Sequence, residues 1–236
     1  MKRLFLTLAL LAGFLFSAEK SSAQVGIELG YANSVQRLKP SKGEAITTPR
    51  SGFYIELDYA VNLFAGLKIA PGIQYMYLAG EAKFPTLPPL DGGNKPSGDI
   101  AKAPSVSHDP SKPSPTRKPE AVEHYLSIPV DLSYTFRFGG SFGLTAFVTP
   151  TLNCGLKSDI KVANTATDMY KVMEDLLGKK DAYSRVDFLL GVGLAADFGR
   201  HFRIKFSYDF GLTDRAQVAD FALHQNVLKV GIGLMF

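Results

Sequence analysis

Apolar and polar residues alternate along most of this chain, and the alternation is clearest over its last nine positions. From Leu228 to Phe236 every second residue is apolar. A period of two is the signature of a β-strand with two unlike faces. An alternating strand that ends on an aromatic residue is typical of outer-membrane β-barrels. We therefore interpret Phe236 as an insertion signal for the barrel-assembly machinery.

Seven further segments alternate in the same way, which predicts eight strands in all. The eight segments are 25–32, 53–62, 65–78, 124–138, 142–153, 185–198, 202–212 and 228–236. The second, fourth and sixth are followed by two or three residues, and the other connections are longer. Short turns at one end and long loops at the other are typical of outer-membrane barrels. The sequence therefore predicts an all-β fold, an eight-stranded antiparallel up-and-down transmembrane β-barrel with long external loops, in a Gram-negative outer membrane.

The charged residues of these strands fall on one face, and the opposite face has no Asp, Glu, Lys or Arg within the strands. An eight-stranded barrel is only wide enough for side chains to fill it. Seven acids and six bases nearly cancel, so we predict a paired lumen charge network that plugs the barrel. Its members are Glu28, Glu56, Asp58, Lys68, Asp131, Arg137, Arg185, Asp187, Asp197, Arg203, Lys205, Asp209 and Lys229.

Periodicity does not say which face is inside, so a soluble, lipocalin-like ligand carrier with its charges outward stays open at this point. Three observations weigh against that carrier. The apolar face is rich in aromatic residues, the last residue is Phe236, and several glycines lie on the charged face. Glycine suits the lumen of a narrow barrel, where the backbone is crowded.

The first residues have the pattern of a secretory signal peptide. Lys2 and Arg3 precede a short apolar run, and small residues lead to a predicted cut between Ala23 and Gln24. This divides the chain into a signal peptide at 1–23 and an outer-membrane barrel domain at 24–236. The mature part has 23 Lys and Arg against 21 Asp and Glu. An exported, nearly neutral chain gives no reason to expect a nucleic-acid partner.

Two connections have a composition of their own. The segment 79–122 contains nine of the fourteen prolines and predicts an extended or disordered external loop. The segment 164–178 has apolar residues at helical spacing, a capping box at Thr165 and Asp168, and Gly178 as a stop. It predicts a short external helix, either docking a partner or folded on the barrel rim.

Three prolines fall inside predicted strands, at positions 71, 129 and 150. Proline lacks the amide hydrogen that a sheet needs, so each is interpreted as a β-bulge. The single cysteine, Cys154, excludes an internal disulfide and is interpreted as a buried small residue.

No motif in the chain predicts catalysis, a cofactor or a metal. The string Gly139-Gly-Ser-Phe-Gly143 joins two strands, whereas a nucleophile elbow joins a strand to a helix. The run Gly191-Val-Gly-Leu-Ala-Ala196 has no helix after it, so it does not predict nucleotide binding. The four histidines have no metal-ligand spacing. The remaining catalytic hypothesis places His124 or His224 with Asp181 or Asp220 at the outer rim.

The segment Tyr125-Leu-Ser-Ile-Pro-Val-Asp-Leu-Ser-Tyr134 resembles the Y-L-x-I-P-L strand of the PorT-like outer-membrane β-barrel family. Thr149-Pro150, Asp187–Gly193, Tyr208–Thr213 and Phe236 match further parts of that pattern in order. The resemblance implies a small barrel from bacteria that use type IX secretion, and the founding member belongs to that secretion and gliding machinery. The proline-rich segment resembles an insertion in the family pattern. Because the family motifs are structural, they supply no catalytic or ligand residues.

From these observations we expect a non-enzymatic interaction or assembly component, linked to type IX protein secretion. A small ion or solute channel, and an adhesin-like surface protein that acts through its loops, are the alternatives. The expected partners are outer-membrane lipid, the barrel-assembly machinery, and envelope or secretion proteins.

Overall fold

The computed structural model describes residues 24–40, 45–64, 66–81, 120–139, 141–162, 165–168, 184–199, 201–216 and 221–236. The predicted signal peptide at 1–23 therefore lies outside the described residues. Among the described residues, no helix is long and apolar enough to cross a membrane. Within them, the chain forms nine β-strands: β1 Gln24–Pro40, β2 Ile46–Phe64, β3 Leu67–Glu81, β4 Glu120–Arg137, β5 Phe142–Val162, β6 Thr165–Asp168, β7 Val186–Phe198, β8 Phe202–Gly211 and β9 Phe221–Met235.

Eight of these strands close into a barrel, which confirms the predicted fold. Each pairs antiparallel with its neighbours in the order β4-β3-β2-β1-β9-β8-β7-β5, and a pairing of β4 with β5 completes the ring. Val25 and Phe236 exchange backbone hydrogen bonds of 3.2 and 2.9 Å, which joins the first strand to the end of the chain. The turns between β2 and β3, β4 and β5, and β7 and β8 are short and lie at one end, here called the turn end.

The outer wall of the barrel is an exposed apolar belt. On β1, for example, Ile27 and Leu29 are about half exposed, whereas Glu28 between them is buried. Aromatic rings border this belt at both ends. Phe142 and Phe198 meet near the turn end with ring centroids 5.5 Å apart. A soluble protein does not expose so much contiguous apolar surface, whereas lipid requires it.

The belt ends at the loop end in a row of four neighbouring side chains: Tyr31, Phe53, Tyr77 and His124. The ring centroids of Phe53 and Tyr77 are 5.4 Å apart, and those of Tyr77 and His124 are 5.3 Å apart. Aromatic residues at this position are typical of the boundary between hydrocarbon and headgroups. The row therefore marks the outer limit of the membrane-spanning wall.

Several strands continue well past this row. β5 has 21 residues and β2 has 19, whereas a tilted strand needs about 9–11 residues to cross a bilayer. We call the projecting strand segments the collar: 32–40, 46–52, 78–81, 120–123, 157–162, 165–168 and 221–227. β7 and β8 end earlier, with 13 and 10 residues. Among the described strands, the collar is consequently an open sheet in the order β6-β5-β4-β3-β2-β1-β9, above a closed barrel.

The two predicted loop segments need correction at their ends. The helix predicted at 164–178 begins as a strand, because Thr165–Asp168 pairs with Val162–Asp159 as β6. The capping box predicted a helix here, but backbone pairing with the free edge of β5 makes the segment a strand. The proline-rich loop predicted at 79–122 is shorter at both ends, because Ala79–Glu81 belongs to β3 and Glu120–Val122 belongs to β4. Residues 169–178 and 82–119 lie outside the described residues.

The prolines do not form the predicted bulges. Pro71 stands opposite Val130, Pro129 opposite Thr151 and Pro150 opposite Leu190, with the register unchanged on both sides. The sheet loses individual ladder hydrogen bonds at these positions and gains no extra residue. The register shifts lie elsewhere, between Asn62 and Phe64 and between His124 and Tyr125. Cys154 is only partly buried.

Large inward side chains face glycines on other strands of the barrel. A Cβ atom at Gly193 would collide with the Phe147 ring and with the backbone oxygen of Phe206. At Gly231 it would meet the hydroxyl of Tyr54. Glycine is therefore required where an aromatic ring crosses the lumen, as the crowded-lumen argument predicts.

Gly193→Ala should destabilise the barrel by about 1–3 kcal/mol, because the new methyl group overpacks against a backbone atom that cannot move aside. Gly233→Ala is the matched control, since its Cβ would lie 3.5 Å from the nearest atom, an ordinary contact. The measurement is urea unfolding in detergent micelles, followed by the mobility of folded and unfolded forms on gels. Equal midpoints for the two variants would contradict the packing argument.

Candidate functional site

The middle of the lumen is organised around one buried ammonium group. Lys205 Nζ lies 2.8 Å from Asp131 Oδ2, 3.3 Å from Glu56 Oε1 and 3.6 Å from Glu28 Oε2. The Tyr54 hydroxyl donates a hydrogen bond to Glu28. These side chains come from β1, β2, β4 and β8, so a single cation ties four strands together across the lumen. We call this group the central cluster.

A second cation lies beside the central cluster. Lys229 Nζ is 2.9 Å from Asp209 Oδ2 and donates to Gln74 Oε1 at 3.1 Å. It lies 5.6 Å from the ring centroid of Tyr54, and Lys205 lies 5.0 Å from that of Phe147. Both lysines thus combine carboxylate partners with an aromatic face, an arrangement that compensates for the loss of water.

The turn end of the lumen has its own ion pair. Arg203 Nε contacts Asp197 Oδ1 at 2.6 Å, and the Thr145 hydroxyl donates to Asp197 Oδ2 at 2.6 Å. Lys68 is buried nearby and donates to Gln24 Oε1 at 3.3 Å. A cavity of about 330 Å³ opens at this end between these groups. Charged side chains therefore border open space at this end of the lumen.

A third group of buried polar side chains fills the collar. Glu123 pairs with Arg50 and accepts hydrogen bonds from Tyr125 at 2.7 Å and from Gln36 at 2.9 Å. Arg215 donates to the Tyr125 hydroxyl at 3.0 Å and to Gln225 Oε1 at 2.6 Å. We call this group, with Ser34 and Ser158, the collar cluster. An ion pair and several buried hydrogen bonds therefore connect the strands of the collar across its interior.

An apolar layer separates the collar cluster from the central cluster. Ala32, Met76, Leu78 and Val227 pack there between Tyr54 and Tyr125, and each is at most 1% exposed. Together with the two polar clusters, this layer fills the described lumen with side chains between the central cluster and the collar. The interior is filled in the way that a narrow barrel allows.

The structure places most of the thirteen predicted lumen charges in the interior. Eight are buried in the wall and the clusters: Glu28, Glu56, Asp131, Asp187, Asp197, Lys205, Asp209 and Lys229. Lys68 is also buried, and Asp58 and Arg203 are partly buried.

The prediction of an inward position was wrong for Arg137 and Arg185. Both side chains are exposed at the barrel ends, where the wall no longer covers them. Arg185 directly precedes β7 at the loop end, and Arg137 is the last residue of β4 at the turn end. Phe236 is 67% exposed on the outer wall.

Sequence reasoning missed the collar cluster entirely. Gln36, Arg50 and Glu123 lie outside the predicted strands, and Arg215 lies in a connection without periodicity. One signal was available: Ser34 and Gln36, or Thr48 and Arg50, continue the inward positions of β1 and β2 at a spacing of two. The alternation of apolar and polar residues is absent there, because the strands extend beyond the lipid and their outward residues are polar as well.

The histidines do not form a catalytic group in the part of the chain that the structure describes. His124 Nδ1 lies 2.6 Å from the Tyr75 hydroxyl, and His201 Nδ1 lies 2.8 Å from the backbone oxygen of Met235. His224 stands opposite Arg37 in the sheet. Asp181 and Asp220, their hypothetical partners, lie outside the described residues. No three potential metal ligands gather among the described residues.

The family model for an outer membrane protein beta-barrel domain matches residues 10–217. No curated protein matches the chain. Similar solved structures include Ail, the attachment invasion locus protein of Yersinia pestis, with 15% identity, a TM-score of 0.44 and coverage of 91% of this chain and 99% of that one. OprG from Pseudomonas aeruginosa has 12% identity, a TM-score of 0.42 and coverage of 92% and 97%. Neisserial surface protein A has 11% identity, a TM-score of 0.42 and coverage of 89% and 97%.

Lys205→Met should destabilise the barrel by roughly 3–5 kcal/mol, because it leaves three neighbouring carboxylates without their cation while keeping the side-chain length. Lys157→Met is the matched control. Its side chain is 63% exposed and pairs with Asp159 in the collar, so a change within about 1 kcal/mol is expected. Equilibrium unfolding of both variants in the same lipid tests this. A Lys205→Met barrel as stable as the unmodified one would show that the central cluster contributes no net stability.

Proposed function

This chain belongs to the outer membrane protein beta-barrel domain family, and from that membership we propose that it is a non-enzymatic, non-conducting barrel that acts by binding other molecules at its collar. Its place is the outer membrane of a Gram-negative bacterium. With the short turns in the periplasm, as is usual for such barrels, the collar stands outside the cell. The proposed role is that of an interaction or assembly component.

The observation that carries the proposal is the combination of a filled lumen with a projecting collar. Transport needs a path, and the central cluster and the layer around Met76 and Leu78 occupy it. The collar strands, in contrast, are longer than membrane crossing requires, and their interior is hydrogen-bonded. Extra ordered structure outside the membrane supports a role in contact with partners.

Type IX protein secretion is the more specific role that we propose for this collar. It rests on the resemblance of Tyr125–Tyr134 to the PorT-like strand. A surface adhesin is the second candidate, and it is favoured by the same exposed collar. The two differ in the partner, which is an envelope protein of the same cell in the first case and an external molecule in the second.

A deletion strain tests the secretion role. Proteins exported by type IX secretion should accumulate in the periplasm of the strain and return to the surface when the unmodified chain is supplied. A photocrosslinker at Lys161, exposed on the collar, should capture an envelope partner in intact cells, whereas the same probe at Ile73 in the lipid-facing belt should not. Normal export together with no envelope crosslink would remove the secretion role and favour the adhesin.

Purified protein in a planar bilayer should give no steady conductance, because paired charges and an apolar layer fill the lumen. Insertion is checked in parallel by the heat-dependent gel mobility of the same preparation, so that a silent record cannot result from absent protein. Large, stable, ion-selective current steps from the unmodified chain would contradict the proposal and make a small channel the better description.

A further inference from the structure

We propose that the turn-end cavity binds a small oxyanion, a carboxylate or phosphate group carried by a molecule that reaches the barrel from the periplasmic side. The cavity has a volume of about 330 Å³, and its walls include Lys68, Arg137, Gln24 and Ser141. The inference is independent of the proposed function of the collar, which lies at the opposite end of the barrel.

Two cations of this cavity have unused hydrogen-bonding capacity. Lys68 is 8% exposed, and within the described residues its ammonium group makes one hydrogen bond, to Gln24 Oε1 at 3.3 Å. An ammonium group can donate three. Arg137 is exposed at the cavity mouth and forms no ion pair with any residue that the structure describes. A buried ammonium group that no carboxylate contacts directly is unfavourable, so an anion at this position would stabilise the site.

The carboxylate that lines the cavity is already paired. Asp197 holds Arg203 through contacts of 2.6 and 3.3 Å and accepts a hydrogen bond from Thr145. It also attracts Lys68 electrostatically, but within the described residues it forms no ion-pair contact with the Lys68 ammonium group. Asp58 interacts electrostatically with Lys68 and Arg203 but does not line the cavity.

Cations are gathered at this end of the lumen. Arg137 and Arg203 both repel the Lys68 ammonium group electrostatically, so an anion bound among these three side chains would reduce their repulsion. In addition, the cleavage predicted ahead of Gln24 would place the α-amino group of the mature chain on a residue that lines the cavity.

The donors suit an oxyanion better than a halide. A guanidinium group presents a planar fork that matches a carboxylate or phosphate, and an ammonium adds a point charge. The Ser141 hydroxyl and the Gln24 amide supply neutral donors on the same wall. Phe142 and Met235 also line the cavity and offer apolar contacts to the organic part of a ligand.

The test uses the full mature chain in uncharged detergent micelles. Inorganic phosphate and acetate are titrated separately at constant ionic strength, with chloride as the balancing salt. The readout is the nuclear magnetic resonance signal of the Arg137 side-chain N–H. A saturable shift with phosphate or acetate, absent with chloride alone, is the expected result.

Variants assign the response to the cavity. Lys68→Met and Arg137→Gln should each weaken binding about tenfold or more, because each removes a charge-assisted hydrogen bond. For Arg137→Gln the readout is the unfolding temperature in the presence of the anion, and the exposed position keeps folding intact. Lys157→Met, which removes a cation from the collar, should leave binding unchanged.

Nanodiscs separate the two sources of the oxyanion. If a lipid headgroup occupies the cavity, discs rich in phosphatidylglycerol should abolish the response to added phosphate, whereas a response that persists identifies a soluble ligand. Either result supports the site. No saturable response in micelles, or a response that survives both Lys68→Met and Arg137→Gln, would overturn the proposal.

Discussion

The narrow lumen of an eight-stranded barrel is the constraint on which the rest of this structure depends. Side chains that point inward have almost no room for bulk water, so each charge must find its partner inside the protein. Lys205 meets this requirement by contacting three carboxylates from three other strands. The same lack of space places glycine opposite Tyr54 and Phe147. Ion pairing and glycine placement are thus two results of one geometric limit.

The sequence predicted the membrane-spanning wall well, because lipid on one side and a packed lumen on the other enforce a strict period of two. Along β8, Phe206 and Phe210 face outward and Lys205 and Asp209 inward, as the alternation indicates. The pattern could not say which acid meets which base. Lys205 reaches Glu56 across 149 positions of sequence, and only the closure and register of the barrel bring them together.

Prediction failed where lipid no longer acts on the outer face. In the collar, both faces of a strand carry polar residues, so the alternation that marks Ile27 and Leu29 disappears by Gln36 and Arg37, although the backbone pairing continues. The start of the predicted helix, Thr165–Asp168, is a strand because pairing with the edge of β5 outweighs the local capping signal. The burial of Arg215 could not be predicted, because it depends on contact with Tyr125, which lies 90 positions away in the sequence.

The change from a closed to an open sheet gives this barrel a gradient of local stability along its axis. Inside the membrane every strand has two neighbours, and opening the ring anywhere would expose backbone groups to hydrocarbon. Above β7 and β8, the only described strand that pairs with β9 over Phe221–Asn226 is β1, although Arg215 donates a backbone hydrogen bond to the Leu223 oxygen, and β6 contributes four residues. Fraying of the sheet therefore begins at these two ends. Amide protons in the collar part of β9 should exchange with solvent long before those of the same strand near Ile232.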